Sequence, residues 1–142
     1  GAALADARTI AAFHSLMAIA SVVTPNLPEL NALGGTMPIL RHGCHLLLKG
    51  GHGDGDEIVD QLLSTSGLIR ELRRTRIDTT STHGTGCTLA SALACGLGQG
   101  MGVIEAFERA VAFVRAALLA APGLGKGHGP MGHQAVRFET LA

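Results

Sequence analysis

Seven consecutive residues, His83-Gly84-Thr85-Gly86-Cys87-Thr88-Leu89, concentrate the side chains most able to do chemistry. Two glycines flank a threonine, a cysteine follows, and residues 89–97 continue as an apolar run of helical character. Gly84 and Gly86 are expected to let the backbone take positive φ and approach a ligand closely. The amides of Gly84, Thr85, Gly86 and Cys87 then stand at the start of a helix. Such an end carries about half a positive charge and unpaired N–H donors, which makes it an anion site. A thiol held there is expected to ionise more readily than its reference pKa of about 8.5. A phosphate cradle beside a proton acceptor suits phosphoryl transfer to a hydroxyl. The same residue types also describe an ordinary turn before a helix, with a cysteine serving as a small apolar side chain.

Two other short segments offer complementary chemistry. Asn26-Leu27-Pro28-Glu29 sets an amide and a carboxylate three residues apart, just after a β-branched run. Oxygen ligands of this kind hold hydrated Mg²⁺ through water, and the same pattern is a helix-capping box. Lys49 ends the apolar run His45-Leu46-Leu47-Leu48 and precedes Gly50-Gly51. It can lie along a triphosphate as a mobile point charge, or rest its stem on the strand end with its charge in water. His52 and His83 fall in the same loops and either touch phosphate or fix the loop. Asp54, Asp56 and Asp60 read as solvated acids, and Cys44 and Cys95 as structural. His128 and His133 lack partners at finger-like spacing, so no zinc site is expected.

The elements that position these residues follow from periodicity. Residues 6–20 carry Ile10, Phe13, Leu16, Met17 and Ala20 on one helical stripe. Ser21-Val22-Val23-Thr24 reads as a strand stopped by Pro25. Asn26 caps a helix that ends at Gly34-Gly35, and residues 37–41 form another short helix. Residues 45–48 read as a buried parallel strand. Residues 58–63 and 67–72 flank a Ser/Thr/Gly turn and predict a hairpin, with residues 73–79 as a further strand. Residues 102–119 form a long amphipathic helix, and residues 122–133 a loop. Strands alternating with helices predict an α/β domain with a mostly parallel sheet, whose ligands bind at the carboxyl ends of the strands. Thr24-Pro25-Asn26, Lys49-Gly50-Gly51-His52 and residues 83–87 all fall at such ends.

Bulk properties narrow the function classes. The 142 residues suit one domain, and the formal net charge of zero gives no electrostatic case for nucleic acid or an anionic membrane. Four Phe, with no Trp or Tyr, provide no base-stacking platform. Three cysteines without metal spacing imply free thiols and a reducing compartment. No stretch reaches the roughly 20 apolar residues of a membrane span. Residues 1–5 carry no signal-peptide pattern. A cytoplasmic protein is expected.

Together these motifs resemble the ribokinase superfamily, and within it the hydroxymethylpyrimidine/phosphomethylpyrimidine kinases of thiamine biosynthesis. The resemblance is carried by Val22-Val23-Thr24-Pro25-Asn26-Leu27-Pro28-Glu29 and by Leu48-Lys49-Gly50-Gly51-His52. It continues through Arg76-Ile77-Asp78-Thr79, residues 82–89, and Gly127-His128-Gly129-Pro130 with His133. It implies a ribokinase-like α/β fold with a small hairpin, and ATP-dependent phosphorylation of a pyrimidine alcohol and then of its monophosphate. By position, Cys87 would be the general base, and Gly84, Thr85 and Gly86 with Cys87 the anion hole. Lys49, Gly50, Gly51, Thr79 and Thr82 would hold ATP, and Asn26 and Glu29 would serve Mg²⁺. Ser81 stands where the family often has Asn. Family members are about twice this length, so the resemblance implies the C-terminal, nucleotide-binding half. Small-molecule partners and a homo-oligomer are expected. The alternatives are a pyridoxal kinase of the same superfamily and a non-catalytic nucleotide-binding fragment. A thiol redox protein is disfavoured because no Cys-x-x-Cys is present.

Overall fold

The computed structural model describes residues 6–50 and 55–137. Gly51, His52 and Asp54 lie outside these residues. The chain divides into two compact units, Gly1–Arg74 and Thr75–Ala142.

The first unit begins with α1 (Ala7–Met17), capped by Asp6, whose carboxylate accepts from the Thr9 amide at 2.8 Å. Two short helices, α2 (Leu27–Ala32) and α3 (Thr36–Leu40), fill the connection between strands β1 (Val22–Val23) and β2 (His45–Leu48). Helix α2 stops where two glycines follow it. The Gly35 amide donates to Leu30 O at 2.8 Å and the Gly34 amide to Asn31 O at 3.1 Å, with Gly34 at φ 86°. This is the left-handed helix ending that glycine permits without a steric penalty. Strands β3 (Glu57–Ser64) and β4 (Gly67–Thr75) form the expected hairpin around Thr65-Ser66.

The sheet order is β1-β2-β3-β4. The α/β class holds, and among the described residues the sheet is mixed. β1 runs parallel to β2, with Val22 opposite His45 and Val23 opposite Leu46. β2 runs antiparallel to β3, pairing Leu46 with Leu63, Leu47 with Leu62 and Leu48 with Gln61. An apolar four-residue run is compatible with either neighbour, because both directions bury it on two faces. Leu46, Leu47 and Leu62 are fully buried. Met17, Leu33, Ile39, Leu40, Cys44 and Leu46 cluster with Ile10, Val23 and Leu63 to form the core of this unit. Cys44 is structural, as expected: it donates to Ile39 O at 3.4 Å, and burial pushes its thiol pKa up.

The second unit packs α4 (Thr85–Gly98) against α5 (Val103–Leu119). Their close approach depends on Gly96, where a Cβ would stand 3.0 Å from the Ala106 Cβ. Helix α4 ends on Gly100, at φ 87°, with the Met101 amide donating back to Gly96 O at 3.1 Å. Leu89, Leu93, Phe107, Ala110 and Val111 are buried. The further strand expected over residues 73–79 does not form: residues 73–75 continue β4, because the chain runs straight on from the hairpin arm, and residues 76–79 have no regular structure.

Candidate active site

In the second unit the chemistry gathers at the start of α4. Gly84 is the N-cap residue and adopts the left-handed conformation, at φ 79° and ψ 9°. A side chain there would be strained, which accounts for the first glycine of the motif. Gly86 departs from the expectation of positive φ: it lies inside the first helical turn. No side chain caps this helix. The Thr88 amide closes the first turn on Gly84 O at 2.9 Å. The amides of Gly86 and Cys87 precede that bond and point out of the helix end, where its partial positive charge is concentrated. Cys87 is exposed on the same turn.

Two segments hold this loop. Upstream, the Ser81 amide donates to Thr79 Oγ1 at 3.1 Å, and Ser81 itself is buried. Downstream, Pro130 pairs with His83 in a parallel bridge, and the His83 amide donates to Gly129 O at 3.3 Å. This pairing brings two histidines onto the loop. Thr82 Oγ1 and His128 Nδ1 share a hydrogen bond at 3.1 Å, and Thr88 Oγ1 and His133 Nε2 share one at 2.8 Å. Two glycines make the approach possible. A Cβ on Gly129 would lie 2.8 Å from Leu124 O, and a Cβ on Gly132 would collide with the backbone of Ala120. The Gly132 amide donates to Ala117 O at 2.8 Å, which ties the segment to the end of α5.

A cleft of about 500 Å³ opens beside Cys87 along α4. Cys87, Ser91 and Cys95 line it at four-residue spacing, facing Phe113 of α5 and His133. Cys95, expected to be structural, is exposed on this cleft. Sequence reasoning missed Thr88 and the use of His128 and His133 as loop clasps. The repeated Gly-His spacing of residues 127–133 was the available signal, but its partners lie some 45 residues away.

In the first unit the candidate residues sit just beyond the carboxyl ends of the parallel pair β1 and β2. Asn26 and Glu29 form the reciprocal capping box. The Glu29 amide donates to Asn26 Oδ1 at 2.8 Å, and the Asn26 amide donates to Glu29 Oε2 at 2.7 Å. One oxygen of each side chain is thus committed to the helix start, and Glu29 Oε1 stands outside the box. Such a set fits a hydrated cation contacted through water and not one gripped directly. Lys49 is half-buried at the end of β2. Gly50 follows, pressed so tightly against β3 that a Cβ would collide with the backbone of Val59. Its amide donates to Asp60 Oδ1 at 3.0 Å. Asp60 lies in β3, within the expected hairpin arm, but it is half-buried and hydrogen-bonded and not the solvated acid expected. Burial raises its pKa, while the Gly50 bond and the charges of Arg74 and Lys49 pull it back. Among the described residues no three His, Cys, Asp or Glu side chains group as metal ligands. No helix among them is long and apolar enough to cross a membrane.

Comparison with known proteins shows the family of the chain. The sequence profile described as phosphomethylpyrimidine kinase matches residues 1–132. The hydroxymethylpyrimidine/phosphomethylpyrimidine kinase of Rhizobium meliloti is 40% identical over 87% of this chain and 52% of its own length. That of Bacillus subtilis is 34% identical over 99% of this chain and 57% of its own length. The chain therefore spans about half the length of these curated relatives. Among solved structures, the pyridoxal kinase from Staphylococcus aureus in complex with AMP-PCP superposes with a TM-score of 0.83. It is 28% identical, covering 94% of this chain and 54% of that one. The capped strand ends and the Gly-Thr-Gly-Cys helix start thus occur in a chain that belongs to the phosphomethylpyrimidine kinase family.

Proposed function

We propose that this chain supplies the nucleotide-binding, C-terminal half of an ATP-dependent kinase that phosphorylates a hydroxymethylpyrimidine and then its monophosphate. The observation that carries the reading is the uncapped start of α4, with Cys87 exposed on its first turn. The amides of Gly84, Thr85, Gly86 and Cys87 would take the charge that develops on the transferring phosphoryl group. Cys87 Sγ would accept the proton of the acceptor hydroxyl. That oxygen would bond to the γ-phosphorus as the bond to the bridging β–γ oxygen breaks, leaving ADP.

Other residues take roles fitted to their chemistry. Lys49 would lie along the nucleotide phosphates, and Gly50 and Gly51 would contact the same nucleotide. Thr79 and Thr82 would border the nucleotide from the loop before α4. Asn26 and Glu29 would hold hydrated Mg²⁺, which on the triphosphate neutralises charge and orients the γ-phosphoryl group. Such a kinase would act on freely diffusing small molecules in the cytoplasm, as a homo-oligomer.

The likeness to a pyridoxal kinase structure at a TM-score of 0.83 favours a second acceptor, pyridoxal. Kinase assays on the full polypeptide that carries this chain, one with each alcohol, separate the two by kcat/KM. Turnover of the pyrimidine alcohol supports the first reading, and turnover of pyridoxal alone supports the second. Calorimetric binding of MgATP without turnover of either would reduce the chain to a nucleotide-binding module.

A further inference from the structure

The turn after β2 is clasped by two consecutive residues of β3. The Val59 backbone occupies the space that a side chain on residue 50 would need. The Asp60 carboxylate accepts from the Gly50 amide at 3.0 Å. A carboxylate in a half-buried strand is costly unless its hydrogen bonds and charges are answered. Here the answering groups are the Gly50 amide, Lys49 and Arg74. An apolar residue would suit β3 better if packing were all that mattered, since Leu62 two positions on is fully buried. The carboxylate is therefore kept for what it holds, the backbone adjoining Lys49.

We infer that Asp60 is a positioning residue: by fixing the Gly50 amide it sets where Lys49 leaves the sheet to meet the nucleotide phosphates. The inference rests on the reading of Lys49 as a phosphate-facing residue. A lysine on a free turn spends binding energy on being ordered, whereas one on a clasped turn is pre-organised.

The test compares Asp60→Leu, Asp60→Asn, Lys49→Met and the double variant Lys49→Met/Asp60→Leu in the full polypeptide. Calorimetry gives Kd for MgAMP-PCP, and steady-state assays give kcat. Asp60→Leu removes the acceptor while keeping the branched shape and should weaken nucleotide binding about tenfold, the size of one hydrogen bond to a charged group, with kcat nearly unchanged. Asp60→Asn keeps an oxygen facing the Gly50 amide and should bind within about twofold of the wild type, as one retained hydrogen bond implies. The double variant should bind no worse than Lys49→Met alone, because Asp60 acts through Lys49. A tenfold loss in Lys49→Met with unchanged binding in Asp60→Leu overturns the inference, as does strict additivity. Normal binding in Lys49→Met removes that lysine from the nucleotide, and with it this role for Asp60. If thermal melts show that Asp60→Leu does not fold, Asp60→Ser carries the same test with a hydroxyl too short to reach Gly50.

Discussion

The two units treat their candidate residues in opposite ways. In the first, Asn26, Glu29 and Gly50 are tied into the fold: Asn26 and Glu29 cap each other's backbone, and Gly50 is held by Asp60 and walled by Val59. In the second, the loop is held by its neighbours, the His83 amide donating to Gly129 O and the Thr85 amide to Thr82 O, while the Gly86 and Cys87 amides face out of the helix start. Thr82 and Thr88 bond to histidines, yet no side chain caps α4 and Cys87 stays exposed. The same kinds of residue thus do different work. A cap that satisfies itself builds the scaffold, and a cap that is missing leaves donors for a ligand.

This contrast predicts that breaking the caps and walls of the first unit costs stability, whereas breaking the open start of α4 costs turnover. Cys87→Ala should give the largest effect, a fall in kcat of about 10²–10⁴-fold, the usual cost of removing a positioned base. Its melting temperature and nucleotide affinity should stay close to wild type, as steady-state kinetics and calorimetry would show. Gly50→Ala should act the other way, losing about 1–3 kcal/mol of stability through overpacking against Val59. Urea denaturation measures it, and a change below 0.5 kcal/mol, about the scatter of surface substitutions, would mean the turn is not clasped. Asn26→Ala removes the α2 cap and should cost about 1 kcal/mol, against a few tenths for Asn26→Gly.

The smallest effect concerns pH. Burial raises the pKa of Asp60, so the folded chain binds that proton more tightly than the unfolded chain. The group's contribution to stability is then full below the ordinary carboxylate value of about 3.9 and falls as pH rises through the raised folded value. The stability difference between wild type and Asp60→Asn should therefore drift against the wild type over that window. A flat difference across a pH series of urea melts would contradict it.

Local rules carried most of the elements into the sequence. The Asn26-x-x-Glu29 pattern, the Gly34-Gly35 ending and the Thr65-Ser66 hairpin are all decided within six residues, so residue type alone fixes them. What could not be read depends on distant chain. The direction of β3 against β2 is not encoded in a leucine run buried on both faces. The place of Asp60 depends on a turn ten residues earlier. His128 and His133 reach the α4 loop only because Pro130 pairs with His83. Gly86 lacks the expected positive φ because a glycine's freedom permits that conformation without requiring it, and the helix claims it first.

The central claim is that the open start of α4 grips a nucleotide's terminal phosphate. Amide NMR of the full polypeptide, titrated with MgADP and with MgAMP-PCP, addresses it directly. The account predicts that the Gly86 and Cys87 amide resonances shift more with the triphosphate analogue than with the diphosphate. Saturating nucleotide that moves other resonances but leaves these two in place would contradict it.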